Sequence, residues 1–337
     1  MPTITKPNLY FDVVTYTGTG ATQTISGLNF QPDFVWIKSR SAATDNKLTD
    51  AVRGATKGLI SNSTGAETTD STGITAFTSS GFTLGSSSVY NNSGATYVAW
   101  CWKANGSGST NTSGSITSTV SANTTSGFSV LTYTGTGTTA TIGHGLGVAP
   151  SMVICKARTG TSVGAWQTYH SALGATKTVF LNLTDAAYTN SLYWNNTAPT
   201  SSVFSLGGNT DGNGSGYTMV AYCFAEVAGY SKFGSYTGNG SADGPFVYCG
   251  FRPRYIMVKG SSNSSNWTVI DTARDTYNAC KSGLYPNLSA AESDPGAFDI
   301  LSNGFKIRHT YTDSNGSGLS YIFAAFAEFP TKFALAR

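Results

Sequence analysis

The sequence predicts an all-β protein, three tandem antiparallel β-sandwich domains related by an internal repeat, and three observations predict it. The hexamer TYTGTG at 15–20 returns at 132–137 and, as SYTGNG, at 235–240. A proline and a short apolar run ending in lysine follow each copy: PDFVWIK at 32–38, PSMVICK at 150–156 and PRYIMVK at 253–259. The prolines lie 118 and 103 residues apart and the tyrosines Tyr16, Tyr133 and Tyr236 lie 117 and 103 apart, so the landmarks move together. Self-similarity at a fixed period marks a reused structural unit.

Within each copy the first element is the tyrosine-bearing strand, and the second is the proline-to-lysine strand. Phe34, Trp36 and Lys38 share one face of that second strand and Val35 with Ile37 the other, because side chains alternate with period two. Both faces are apolar, and Met152 with Ile154 and Tyr255 with Met257 repeat this, which predicts a strand covered on both sides. A short helix is expected at VRGATKGLI, 52–60. Next comes a phenylalanine-centred strand, in GFTLG at 81, SVFSLG at 202 and GFKIR at 304, and last a closing strand, YVAWCW at 97, MVAYCF at 219 and YIFAAF at 321. Abundant Thr, Val, Tyr and Phe between Gly-rich turns favour antiparallel strands of a sandwich of about 100 residues. The domains so defined are 1–105, 128–229 and 230–337, the last with a short tail, FALAR. Residues 106–127 read as a linker by their Gly, Ser, Thr and Asn content.

Hydrophobic residues make up 39% of the chain and charged residues only 11%, against about a quarter in an average protein, which implies a neutral, hydroxyl-rich surface. The net charge of +3 is spread without a basic stripe, so nucleic acid is not an expected partner. The start MPTITKPNLYFDVV lacks a secretory pattern, and no apolar run reaches the roughly 18 residues of a membrane helix, so a soluble chain without membrane insertion is expected.

Four of the five cysteines are read as thiols within apolar packing, since Cys101 and Cys223 align with Ala325, Cys155 with Ile37 and Val258, and Cys249 with Leu28 and Leu146. Cys280 falls where the copies differ in length. His144, His170 and His309 belong to no metal-ligand pattern, no GxSxG elbow occurs, and no cofactor, metal or catalytic residue is expected. Glycine-rich runs such as GNGSADG at 238–244 read as hairpin turns. The densest acids, Asp271, Asp275, Glu292, Asp294 and Asp299, are the one feature favouring a depolymerase, the least favoured function.

Binding residues are sought after each lysine strand. Trp166, Tyr169 and Trp194 in the second copy and Trp267, Asp271 and Arg274 in the third form the candidate ligand set, because a flat ring can stack on a sugar while polar side chains take its hydroxyls. Burial of the tryptophans is the competing reading. Asp50 and Arg53 recur as Asp271 and Arg274 at a spacing that pairs them, which predicts a structural salt bridge.

With DFVWIKSR, DAVRGATKGLISN, GFTLG and GATYVAWCWKA in order over its first 104 residues, the chain resembles a repeat module of structural, tail-fibre-like proteins of tailed bacteriophages, notably marine ones. The second copy keeps GATK at 174–177 without the arginine, and the third keeps DTAR without GATK. The resemblance implies a non-enzymatic virion component assembled in the bacterial cytoplasm, with other virion proteins as partners. A tail-fibre or spike-like part contacting host surface polysaccharide, as a homo-oligomer of trimer form, is the expectation. A head decoration or fibre spacer without receptor binding is the alternative.

Overall fold

The computed structural model describes residues 3–160 and 164–329, so the tail FALAR lies outside the described residues. The protein is all-β, with several antiparallel sheets, none closed, and four single-turn α-helices among the described residues. One strand order occurs three times along the chain. In the first segment it runs Phe11–Thr17, Thr96–Trp102, Phe34–Ser39, Lys47–Asp50, Lys57–Ile60. The second repeats it as Phe128–Thr134, Thr218–Phe224, Met152–Ala157, Gln167–His170, Lys177–Phe180. The third begins Ser231–Thr237, Ser320–Ala327, Pro253–Gly260, Trp267–Asp271. Each larger sheet faces a smaller one built on the phenylalanine strand: Gly81–Leu84, Val203–Leu206 and Gly304–Ile307, with Phe82, Phe204 and Phe305 fully buried.

The two-faced lysine strand organises the packing. Val35 and Ile37, Val153 and Cys155, and Ile256 and Val258 point into three separate apolar clusters, one between the two sheets of each segment. The opposite face, Phe34 and Trp36, Met152 and Ile154, Tyr255 and Met257, enters a fourth cluster shared by all three segments. There Phe34 stacks on Tyr222 at 4.3 Å and Trp100 meets Tyr255 edge-on at 5.8 Å. Burial of each such Phe or Met side chain contributes about 1.5–3 kcal/mol, so independent interiors are only half of the arrangement. A strand apolar on both faces needs cover twice, and neighbouring segments supply the second cover.

The repeated hexamer is explained by a buried asparagine on the single-turn helix before the closing strand. Asn91, Asn213 and Asn315 are buried, and the Oδ1 of each accepts the backbone N–H of the residue after the hexamer's first glycine, Thr19 at 2.8 Å, Thr136 at 2.8 Å and Asn239 at 3.0 Å. Each Nδ2 donates to two carbonyls: Ala21 and Gly85, Thr138 and Gly207, Ser241 and His309. The hexamer tyrosine donates to a carbonyl of the same helical turn, from Tyr16 to Tyr90 at 2.8 Å, Tyr133 to Gly212 at 2.6 Å and Tyr236 to Ser314 at 2.7 Å. A Cβ on Gly18, Gly135 or Gly238 would lie 2.2–2.4 Å from a carbonyl oxygen beyond that asparagine, so only glycine fits there.

Two local expectations are corrected. The tract 106–127 is not a free linker: Ser109–Asn111 and Ser118–Asn123 are strands that extend the second segment's large sheet beyond Phe128–Thr134. Ile116, Ser118 and Val120 are buried there, so a period-two pattern lies inside the low-complexity run and outweighs its composition. Residues 52–60 form a turn and the strand Lys57–Ile60 instead of a helix, because Gly54 at φ +96° and Thr56 at φ +70° leave the helical region.

Candidate functional site

The side chains of the six residues expected to bind ligand are all buried. Tyr169 and Trp194 pack edge to face at 5.6 Å inside the second segment's own cluster. Trp166 and Trp267 belong to the shared cluster, and the side chains of Asp271 and Arg274 are fully enclosed in an ion pair of 2.6 Å. No ring of this set offers a face to a sugar, which corrects the stacking surface expected from them. The polar atoms of Trp166, Trp267 and Asp271 serve the seams between segments instead.

The same positions make the same seam contacts in cyclic order. Trp166 Nε1 donates to the Ile60 carbonyl at 2.9 Å, Trp267 Nε1 to Phe180 at 2.9 Å, and Asn46 Nδ2, at the equivalent place, to Leu288 at 2.8 Å. Thus the second segment contacts the first, the third contacts the second, and the first contacts the third. The three strand-ending lysines repeat this: Lys156 Nζ reaches Thr64 O at 3.0 Å, Lys259 Nζ Thr184 O at 2.9 Å and Lys38 Nζ Ser289 O at 3.0 Å. Burial pulls each of these ammonium groups down to about 8, opposed by Asp211, Asp185 and Asp45 respectively. Backbone bonds close the pattern, from Glu67 N to Arg158 O, Ala187 N to Ser261 O, and Glu292 N to Arg40 O.

In the other direction Tyr222 Oη donates to Asp50 Oδ2 and Trp100 Nε1 to Asp271 Oδ2, both at 2.9 Å, while the His170 ring meets the Phe323 carbonyl at 3.1 Å. His170 Nδ1 accepts the Ala172 N–H at 3.2 Å, so Nε2 carries the proton and the imidazole is neutral. Burial pushes its pKa down to about 4, although the Phe323 carbonyl opposes this. Glu67 bridges Arg53 and Arg158, and Glu292 bridges Arg274 and Arg40, with N–O distances of 2.9–3.0 Å. Burial raises the pKa of each glutamate, but its two arginines outweigh that and leave it below the usual value. Asp50 with Arg53 and Asp271 with Arg274 form the salt bridges expected from their spacing.

The remaining chemistry-bearing groups are similarly engaged. Asp275 accepts the Lys281 and Ser282 N–H groups at 2.6 Å, Asp294 pairs with Lys281 at 3.6 Å and Asp299 with Arg308 at 3.4 Å. All five thiols are buried and unpaired, including Cys280, which bridges in sheet fashion to Phe298. Burial pushes Cys155, Cys249 and Cys280 up to about 12, far from a reactive thiolate. Among the described residues no group of three His, Cys, Asp or Glu could hold a metal ion, and no helix is long and apolar enough to cross a membrane.

The void where the three segments meet measures about 10 Å³, at the lower limit for one water. A groove of about 230 Å³ lies along Thr110, Thr119, Thr132 and Arg158, and a cleft of about 420 Å³ lies between Glu226, Lys232 and Tyr248.

Fold and seams together define an all-β protein whose buried polar side chains join its own sheets to one another. It belongs to the family described as Domain of unknown function (DUF7483), whose model matches residues 6–330. Comparison with curated proteins found no match.

Proposed function

We propose that the chain is a non-enzymatic structural component of a tailed-bacteriophage virion, a tail-fibre or spike-like part that contacts host surface glycans. On this reading it comprises three β-sandwich domains related by internal repeat and arranged about an approximate threefold axis. One observation carries the structural role: the side chains able to do chemistry, Asp50, His170, Asp271 and the three strand-ending lysines, are used at internal seams in the same order three times. The faces that a homotrimer would bury are already buried within one chain. We therefore take the single chain to stand where a trimer of smaller chains would, and a light-scattering mass of one chain is expected for the purified protein. Host adsorption tests the function. Purified protein at micromolar concentration should block phage adsorption, and unaltered adsorption at saturating protein would overturn the receptor-contacting role.

A second reading, a head decoration or fibre spacer, is favoured by the burial of Trp166, Trp194 and Trp267. Gold-labelled antibody against the chain, imaged on intact particles, separates the readings, with label at the tail tip supporting the first and label over the head or along a fibre shaft the second.

A further inference from the structure

We propose that the cleft between Glu226, Lys232 and Tyr248, at the junction of the second and third segments, is a saccharide-binding subsite; this rests on the glycan-contacting reading above. At about 420 Å³ it falls within the range of small-ligand sites, unlike the void at the centre of the molecule. Tyr248 forms its aromatic wall and is 64% exposed, in a protein whose other aromatic side chains are mostly buried. The strand Phe246–Tyr248 is an edge strand, and its two outer residues, Phe246 and Tyr248, flank the buried Val247. At the matching outward positions the second copy has Thr141 and Gly143, paired with Ser205 and Val203 as Phe246 and Tyr248 are paired with Lys306 and Gly304. At these strand positions the third copy carries rings where the second has none, so the fold itself does not require them.

The floor and the polar wall suit a pyranose. Gly229 and Gly250 line the cleft, and a Cβ on Gly250 would stand 3.5–3.8 Å from the Tyr248 ring and hydroxyl, on surface that the glycine leaves open. Glu226 and Lys232 also line it, paired at 2.7 Å with each side chain 36% exposed, and Glu226 Oε2 accepts the Phe233 N–H at 3.3 Å. A carboxylate held in place accepts sugar hydroxyls, an ammonium donates to them, and a phenol ring covers the C–H face of the sugar. The ligand class is a neutral or mildly acidic hexose unit of a surface polysaccharide.

The test uses the full chain with methyl glycosides of glucose, galactose and N-acetylglucosamine at millimolar concentration, followed by saturation-transfer NMR. Transfer to at least one sugar is expected, reduced five-fold or more in Tyr248→Ala and retained in Tyr248→Phe and in Tyr277→Ala, an exposed tyrosine outside the cleft. Equal transfer in Tyr248→Ala and the parent, or none to any of the three sugars, would overturn the subsite. All three variants alter exposed side chains, and an unchanged melting temperature confirms the fold. Adsorption blocking separates this proposal from the wider one. A Tyr248→Ala chain that blocks as well as the parent removes the subsite and leaves the function. Tyr248-dependent transfer in a protein that never blocks keeps the subsite and removes the function.

Discussion

At the seam between the first and second segments, Asp50 is paired with Arg53, Tyr222 donates to Asp50, and Glu67 lies between Arg53 and Arg158. Between the second and third segments the same positions hold His170 and Leu173, with Ala187 and Ser261 where Glu67 and Arg158 stand. The lysine and tryptophan bonds to backbone carbonyls are kept at both. One seam is held by buried charge and the other by a neutral imidazole and a leucine against the shared cluster, with no change of strand order. The repeat therefore requires the backbone-directed bonds, whereas the ion pairs are one of two solutions. This agrees with the near balance between desolvation and attraction in buried pairs.

Breaking a pair is different from replacing it, and the largest effect is expected there. Asp50→Ala leaves Arg53 buried without its nearest counter-charge and should cost about 3–5 kcal/mol, read as a lower urea midpoint; a cost below about 1 kcal/mol would mean the pair is idle. Next are the three asparagines, which should not distinguish the seams at all. Asn91→Ala, Asn213→Ala and Asn315→Ala each strand three backbone partners, and each should cost about 2–4 kcal/mol. Unequal costs would show that the hexamer sites have diverged in role.

Acid should separate the seams. His170 is depressed to about 4 in the folded state from an ordinary 6.5, so the unfolded chain binds the extra proton between those values. Its stabilising contribution is complete above pH 6.5 and falls away as the pH drops towards 4, by up to about 3 kcal/mol. His144 and His309, also lowered by burial, act in the same sense. Glu67 and Glu292 have lowered folded values, so their contribution is present above the ordinary glutamate range and is lost only as pH falls below it. Hydrogen exchange at pH 5 against pH 7 should therefore expose the Ala187 amide, and that of Ser265, which donates to the Thr184 carbonyl across the same seam, before that of Glu67; the reverse order would contradict the assignment. Smallest of all, Glu67→Gln should cost about 1 kcal/mol or less, since the carboxylate is partly solvated, and the loss should shrink in 1 M salt.

Much of this was legible in the sequence. The two-faced reading of PDFVWIK placed Phe34 and Trp36 against one cluster and Val35 and Ile37 against another, as observed. A smaller sheet covers only one face of a larger one, so the second apolar face calls for neighbours, and no local pattern says which. The pairing of Asp50 with Arg53 followed from spacing alone, whereas the engagement of Asp50 by Tyr222 joins residues 172 apart, which no local pattern carries. Trp166 and Trp267 looked like sugar platforms because a ring and a polar neighbour read alike in a sequence whether buried or exposed. Asn91, Asn213 and Asn315 could have been found, since each occupies the same place in NNSG, NGSG and NGSG ahead of a closing strand. Tyr248 had no such signal, because exposure on an edge strand depends on what lies beside it.

The third copy alone bears Phe246 and Tyr248 on its outer edge. In an assembly of identical chains any substitution appears on every flank at once, so a sticky residue is multiplied whether or not it is useful. A chain that carries three flanks within itself can alter one and leave the others bland, so that one side of the molecule differs from the rest.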